Sequence, residues 1–320
     1  MREVWESIEQ LLLHHGRLIA NIEGNGTGPA FAFSAGIHGN EPSGVMALKN
    51  VFNQISQHNI PVNGKLIAFI GNRNALHNKK RYSHTDLNRM WTNDNITKLH
   101  TAGFLPQELT PEIIEMIEID NLLQQFMEGI NGREKYFIDL HTTSSASVPF
   151  AAVDQQPESY NLAIRLPIPF ISNLDKFLKG TLINYLDHMQ FKALVFEAGL
   201  HDDPESVLKH EALIWLVLGL SGAIDLADIP NYEGCYTLLQ GLSEHPHKVF
   251  KILHRHEVRD NMSFRMVPGF INFQRVKSGE QIAFENDIPV YAKYNGKIFM
   301  PLYQIQGSDG FFIIEKISKE

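Results

Sequence analysis

The chain has one cysteine, Cys235, in 320 residues. That excludes an intrachain disulfide and any thiolate-rich metal site. It also lacks an uninterrupted apolar run of the roughly 18 residues that a membrane-spanning helix needs. The nearest stretch, Ala212 to Ile224, is shorter and follows a polar helix start. Cations are the minority charge: 28 Lys and Arg stand against 36 Asp and Glu, a formal net charge of −8. A broad nucleic-acid footprint is not expected on such a chain, and an anionic ligand would need a local cluster of cations. The opening residues MREVWESIEQLLLHHGRLIA mix acids and histidines with a short apolar run and do not read as a secretory leader. The expectation is therefore a cytoplasmic protein without a membrane partner. No internal repeat or low-complexity segment is present, and nothing specifies an oligomeric state.

What is there is ordinary for a globular protein: 43% apolar and 20% charged residues. The length suits one large domain plus a small one. Short β-rich runs (Ala30–Ala35, Lys65–Ile70, Tyr136–Leu140, Ala193–Phe196) alternate with helical patterns. One helix opens at Pro42 and runs to about Gln57, one begins at Pro111, and one follows Asp203-Pro204 to near Leu220. Such alternation implies a mostly parallel sheet covered on both faces. From about Asn231 the segments KVFKILHR, FINFQRV, VYAKYNG and FFIIEKI are short and β-rich. Turn signals separate them at Pro268-Gly269, Ser278-Gly279, Asn295-Gly296 and Ser308-Asp309-Gly310. The division expected is a domain over residues 1–228 and a small all-β domain over 229–320, set where the periodicity switches.

The sharpest local feature is His38-Gly39-Asn40-Glu41, between a strand and a helix. In a turn entering a helix, that spacing lets both side chains face one point. An open metal site uses three protein ligands plus water, and Asp139-Leu140-His141 offers a third ligand at the end of another strand, where α/β sheets place their ligand sites. Asp139 lies two residues from His141, so both share one strand face. It suits a carboxylate that orients a ligand, or a purely structural buried Asp. On residues alone, His38 and Glu41 also fit a helix N-terminus with a dipole-stabilising carboxylate. Five cations (Arg73, Lys79, Lys80, Arg81, Arg89) and the single acid Asp86 fall between Arg73 and Arg89. The cluster is either a solvated loop or a pocket for an anion.

Four runs carry a family resemblance: AGIHGNEPSGVMAL, RYSHTDLNR at 81–89, DLHTTSS at 139–145 and VFEAG at 195–199. In this order and spacing they resemble the aspartoacylase and succinylglutamate desuccinylase family, a branch of the zinc carboxypeptidase superfamily. The resemblance implies an α/β/α sandwich with a mixed sheet and a β-rich C-terminal domain. It implies one zinc ion per chain, held by His38, Glu41 and His141, with Glu197 as the general base. Arg81 matches the arginine that polarises the scissile carbonyl. Asn88 and Arg89 match the pair that holds a substrate carboxylate. The implied substrate is a small anionic N-acyl amino acid or a similar amide. Aspartoacylase-like members place another arginine about ten residues before the base, where Asp187 stands here, and Lys176 or Lys179 are the substitutes at hand. They also use a C-terminal tyrosine that has no match in DGFFII.

Three functions fit these residues: a deacylase of small amides, a metallocarboxypeptidase or peptide amidase, and a non-catalytic binder of the same fold. The intact set His38, Glu41, His141, Glu197 and Arg81 favours an enzyme. His77 and His84 fall in the cationic loop near the expected pocket, and His201 near its rim. His245-Pro246-His247 and His254-Arg255-His256 resemble metal pairs, but their place in the β-rich region makes them surface features.

Overall fold

Ala30–Ala35 is buried at every position, and its side chains alternate between two cores, as a strand's period of two requires. Phe31, Phe33 and Ala35 enter one apolar cluster, and Ala30 and Ala32 enter another. The structure, a computed structural model, describes all residues except 15, 102, 131, 154–155, 244–245, 260–261 and 318–320. Its strands are β1 (Leu18–Glu23), β2 (Ala30–Ala35), β3 (Lys65–Ile70), β4 (Lys135–Thr143), β5 (Phe150–Val153), β6 (Phe170–Ile171) and β7 (Lys192–Leu200). The C-terminal part adds β8 (Val249–Glu257), β9 (Phe264–Met266), β10 (Arg275–Val276), β11 (Gln281–Glu285), β12 (Ile288–Tyr291), β13 (Gly296–Phe299) and β14 (Asp309–Lys316).

Eleven of these strands form one mixed sheet, ordered β1-β3-β2-β4-β7-β5-β6-β8-β14-β13-β10. The centre, β3-β2-β4-β7, is parallel. The strands β14, β13 and β10 continue it antiparallel beyond β8. A second antiparallel sheet, β12-β11-β9, lies over this end around Met266, Ile282, Phe311 and Ile313.

Helices cover both faces of the parallel centre. On one side lie α1 (Arg2–His14), α2 (Ser43–Gln57), α8 (Ser206–Leu220) and α9 (Tyr232–Gly241). The apolar stretch near Leu220 is accounted for by α8, a core helix. No helix among the described residues is long and apolar enough to cross a membrane. On the other side pack α5 (Pro111–Met127) and α7 (Leu182–His188). The remaining helices are α3 (Arg73–His77), α4 (Asn93–His100) and α6 (Pro157–Ala163). The N-terminus of α5 is specified locally: the Thr110 hydroxyl accepts from Ile113 N–H and Pro111 takes the first turn.

Two β-rich segments differ from expectation. FINFQRV is mostly irregular, with only Arg275–Val276 in a strand, and VYAKYNG leaves its strand after Tyr291. The signal at Ser308-Asp309-Gly310 is not a turn at its last two residues, because Asp309 and Gly310 begin β14. Asp309 pairs with Glu257 of β8. Glycine suits position 310 because a Cβ there would lie 2.6 Å from the Phe264 ring.

One helix organises the loops above the sheet through carboxylates. Glu112 of α5 is fully buried and accepts from Ser83 N–H at 2.7 Å, His84 N–H at 3.2 Å and Thr85 N–H at 3.4 Å. One turn on, Glu115 accepts from Asn74 N–H at 2.7 Å and pairs with the buried Arg17 guanidinium. Arg17 also donates to Ile70 O at 2.7 Å and meets Glu118 at 2.8 Å. The 73–89 segment is thus held from below by two buried carboxylates, Glu112 satisfied by backbone N–H groups and Glu115 also paired with Arg17, the condition on which buried charge is tolerated. Glu112→Ala strips three backbone donors of their acceptor. It is expected to cost about 3 kcal/mol in chemical denaturation, since charged hydrogen bonds are worth about 1.5–3 kcal/mol each and the loop relaxes in part. A loss below about 0.5 kcal/mol would show that the loop does not depend on Glu112.

Candidate active site

The site forms where β2 and β4 end and α2 begins. Glycine makes the approach close. A Cβ on Gly44, in the first turn of α2, would lie 2.9 Å from Leu140 Cβ and 3.0 Å from Ala35 Cβ. A Cβ on Gly39 would lie 2.0 Å from the Ala75 carbonyl carbon in α3. The stretch 39–44 is therefore pressed against α3 at Gly39 and against the ends of two strands at Gly44, and Gly39 N–H donates to Arg81 O at 3.1 Å.

His38, Glu41 and His141 converge there, with one donor atom from each within 4.8 Å of the others. All three are buried. Glu41 sits between the rings: Oε1 is 2.8 Å from His38 Nδ1, and Oε2 is 3.0 Å from His141 Nδ1. Thr142 N–H donates to Oε2 at 2.9 Å. The far nitrogens also face carboxylates. His141 Nε2 lies 2.9 Å from Asp139 Oδ2, off the straight N–H···O line, and His38 Nε2 lies 3.4 Å from Asp86 Oδ1. Asp139 is fully buried, and its Oδ1 accepts from the Ser34 hydroxyl at 2.5 Å across β2 and β4.

Such an arrangement suits a cation. Imidazole ligands of metals characteristically turn the other ring nitrogen to a carboxylate, and here both do. Two histidines and one carboxylate are a donor set with room for a further ligand. The electrostatics agree. Burial alone would raise Glu41, but His38 and His141 outweigh it and hold the carboxyl well below its usual range. Burial would likewise lower His141, yet Asp139 and Glu41 raise it well above the ordinary imidazole value.

Glu197 pairs in register with His141 across β4 and β7. It is buried, and its Oε2 has no hydrogen-bond partner. Burial, reinforced by Glu41 and Asp139 against His141 and Arg81, pushes its carboxyl up to about 8. Arg81 donates from Nη2 to Asp86 at 2.9 Å, with Nη1 3.9 Å from Glu41. Asp86 thereby sits well below its usual range, because Arg81 first and His38 next overcome burial.

A cleft of about 990 Å³, its open mouth included, runs from His38 along Arg81, Asn88, Arg89 and Thr142–Ser144 to the C-terminal loop at 300–309. Asn88 Oδ1 accepts from Leu182 N–H at 2.9 Å, which turns its amide NH₂ away as the donor left for a ligand. Of the five loop cations, Arg81 and Arg89 line this cleft. Lys79 instead pairs with Glu9 at 2.9 Å. His77 and His84 are not on its wall; His201 is. Lys176 and Lys179 are exposed, and neither they nor Asp187 line it. His245 lies outside the described residues. His254 and His256 belong to a ring cluster with Phe311 in the β-rich part.

Sequence reasoning missed what the C-terminal segment brings. Gln304 Oε1 accepts from Asn40 at 3.0 Å and faces His201 Nε2 at 3.3 Å. The other His201 nitrogen faces the Thr142 hydroxyl at 2.7 Å. Asp309, at the cleft wall, meets Arg89 at 2.5 Å. No tyrosine of this segment lines the cleft: Tyr303 turns its hydroxyl to Val267 O at 2.9 Å. The only signal for Asp309 was its place beside a glycine, which also marks a turn.

The succinylglutamate desuccinylase/aspartoacylase catalytic domain matches residues 27–200, and the chain belongs to this family. It is 27% identical over 183 residues to a succinylglutamate desuccinylase of Photorhabdus laumondii, covering 56% of this chain and 50% of that one. A Shewanella baltica succinylglutamate desuccinylase is 21% identical over 287 residues, 85% of this chain and 79% of that one. The chain thus aligns with about half the length of the Photorhabdus relative. The succinylglutamate desuccinylase structure from Chromobacterium violaceum superposes with a TM-score of 0.63 at 17% identity, covering 98% of each chain. A product-bound structure of the ectoine utilization protein EutE (DoeB) from Ruegeria pomeroyi gives 0.61 at 17%, over 92% of this chain and 87% of that one. At these identities the structures share the fold.

Gly39→Ala tests the local geometry. Its methyl group meets backbone, not a flexible side chain, so the His38–Glu41 turn must shift. Overpacking of this kind costs about 1–3 kcal/mol. Thermal melting should show that loss, and the variant should retain less divalent metal after dialysis than the parent. Parental metal retention would contradict the role given to the turn.

Proposed function

We propose that this member of the succinylglutamate desuccinylase/aspartoacylase family is a zinc-dependent deacylase that cleaves the amide bond of a small N-acylated amino acid. The observation that carries the reading is the convergence of His38, Glu41 and His141 beside the buried, unpartnered Glu197. His38 Nδ1, His141 Nδ1 and the Glu41 carboxylate would hold one zinc ion per chain. When bound, zinc lowers the pKa of a coordinated water toward about 7 and polarises a carbonyl oxygen. Both nitrogens of His141 face carboxylates, which keeps the ring protonated without a cation, so metal uptake releases the Nδ1 proton.

The chain's own groups carry the other steps. Glu197 takes a proton from the attacking water and delivers it to the leaving amine nitrogen. Two opposed influences supply its roles: burial, which pushes the carboxyl up to about 8, lets it hold a proton, and a neighbouring cation draws it back toward the carboxylate needed at the start. Arg81, held against Asp86, presents a fixed guanidinium to the oxygen on which negative charge develops, where one such donor is worth about 3 kcal/mol. The Asn88 amide and the Arg89 guanidinium hold the substrate's carboxylate. Asp139 and Asp86 orient the two imidazoles.

The division into a catalytic domain at 1–228 and a β-rich domain at 229–320 belongs to the same reading. The loop at 300–309 closes one side of the cleft, which favours small substrates over peptides. The alternatives of a metallocarboxypeptidase and of a non-catalytic binder are separated by assay of the zinc-loaded protein on N-acyl amino acids and short peptides.

Glu197→Gln keeps the shape and removes the base. It should bind zinc like the parent and lose at least about 100-fold in kcat, the lower bound for general acid–base catalysis. In the parent, kcat/KM should rise with pH as Glu197 loses its proton, with a midpoint below the value of about 8 that holds without a cation. Near-parental turnover by the Gln variant would exclude Glu197 as the base.

A further inference from the structure

Arg89, the cation assigned to the substrate carboxylate, already faces a carboxylate of its own chain. Its Nη2 meets Asp309 Oδ2 at 2.5 Å, and its Nη1 donates to Asn88 O at 2.7 Å. The other oxygen of Asp309, Oδ1, lies 2.6 Å from Arg255 Nε. Asp309 is therefore shared between a guanidinium at the cleft wall and one on β8 behind it. The side chains of Arg89, Asp309 and Arg255 are 21%, 15% and 20% exposed. Water screens such a trio weakly, so each charge is felt by the next. Arg89 Nε is buried without an acceptor, so it is the two Nη groups that Asp309 and Asn88 O engage.

The wall beyond Arg89 is short of further cations. It is built largely from apolar side chains such as Val153, Leu178, Ile183, Leu302 and Phe312, with Thr181 and Asn184 as neutral polar groups among them. The other charged group on that side is Asp175, whose Oδ1 is buried and unpartnered. A second carboxylate on a ligand would meet hydrocarbon, two neutral polar groups and this acid, with no cation to pair it, and burying an unpaired charge is costly.

We propose that Asp309 and Arg255 set the selectivity of the cleft: Asp309 weakens Arg89 toward a substrate carboxylate, and Arg255 limits that weakening by drawing Asp309 to itself. With the apolar wall, this assigns an N-acyl amino acid with one carboxylate and an apolar side chain as the substrate class, in preference to a dicarboxylate. The inference rests on the reading of Arg89 as the carboxylate holder. Asp309 and Arg255 are positioning residues, because they act on the ligand through Arg89.

Two substitutions of opposite sign separate this device from a structural ion pair. The experiment titrates N-acetylleucine and its neutral twin N-acetylleucinamide into the zinc-loaded full chain by calorimetry, in a Glu197→Gln background that stops turnover. Asp309→Asn should tighten the acid about tenfold, and Arg255→Gln should weaken it about threefold, a range typical of strengthening or weakening one charge-assisted hydrogen bond. Neither should change binding of the amide by more than about twofold. If Asp309→Asn does not fold, Asp309→Ser removes the same charge and carries the same expectation. A shift in one direction for both variants, or equal shifts for acid and amide, would overturn the proposal in favour of a purely structural trio. N-acetylaspartate binding the parent as tightly as N-acetylleucine would overturn the substrate class. Should Arg89→Ala leave acid and amide binding unchanged, Arg89 itself would be misread, which is distinguishable because zinc binding in this background, and turnover in the chain that keeps Glu197, would both persist.

Discussion

Everything at this site depends on placing the Glu41 carboxylate between two imidazoles in a buried position. An isolated carboxylate could not be kept there as an ion. His38 and His141 compensate it, and Asp86 and Asp139 in turn face the far nitrogens of those rings. Arg81 then answers Asp86. Each charge is tolerable only because the next is in place, so the alternating chain of acids and bases has few arrangements open to it. Its centre is where a divalent ion would replace a proton.

The fold supplies this arrangement from separate pieces of chain. Parallel strands deliver Asp139 beside Ser34, and Glu197 beside His141, through their register. The first turn of α2 is pressed onto the strand ends because Gly44 leaves no bulk between them. The segment carrying Arg81 and Arg89 has little regular structure of its own and is fixed by the carboxylates of α5. The C-terminal strands extend the same sheet and return Gln304 and Asp309 to the cleft. The three candidate metal ligands and Glu197 thus sit at strand ends and a helix start, while Arg81 comes from the 73–89 segment. Groups assigned to selectivity come from the same 73–89 segment, which carries Asn88 and Arg89, and from the C-terminal strands, with Asp309 at the start of β14 and Arg255 in β8.

The strands and helices that follow apolar periodicity were legible in the sequence because local spacing governs them; His38 and Glu41 were paired by spacing, whereas His141, 100 residues on, joined them through its strand-end place and the family resemblance. Glu112 and Glu115 were not legible as anchors. A carboxylate on a helix reads as a solvated face until tertiary structure turns it inward. The excess of cations between Arg73 and Arg89 was real but misleading as a measure of the pocket. Arg89 meets Asp309 from 220 residues away, a pairing that counting charges along the chain does not reveal. The β14 start at Asp309-Gly310 was hidden for the same reason, since pairing with β8 outweighs a local turn signal.

The central claim is that two imidazoles, each backed by an aspartate, and one carboxylate hold zinc at these strand ends. Zinc-edge X-ray absorption of the loaded protein tests it most directly. The expected spectrum has a first shell of nitrogen and oxygen only, with two imidazoles at about 2.0–2.1 Å, one of which is lost in His141→Ala. A spectrum with fewer than two imidazoles, or one that His38→Ala and His141→Ala leave unchanged, would contradict it.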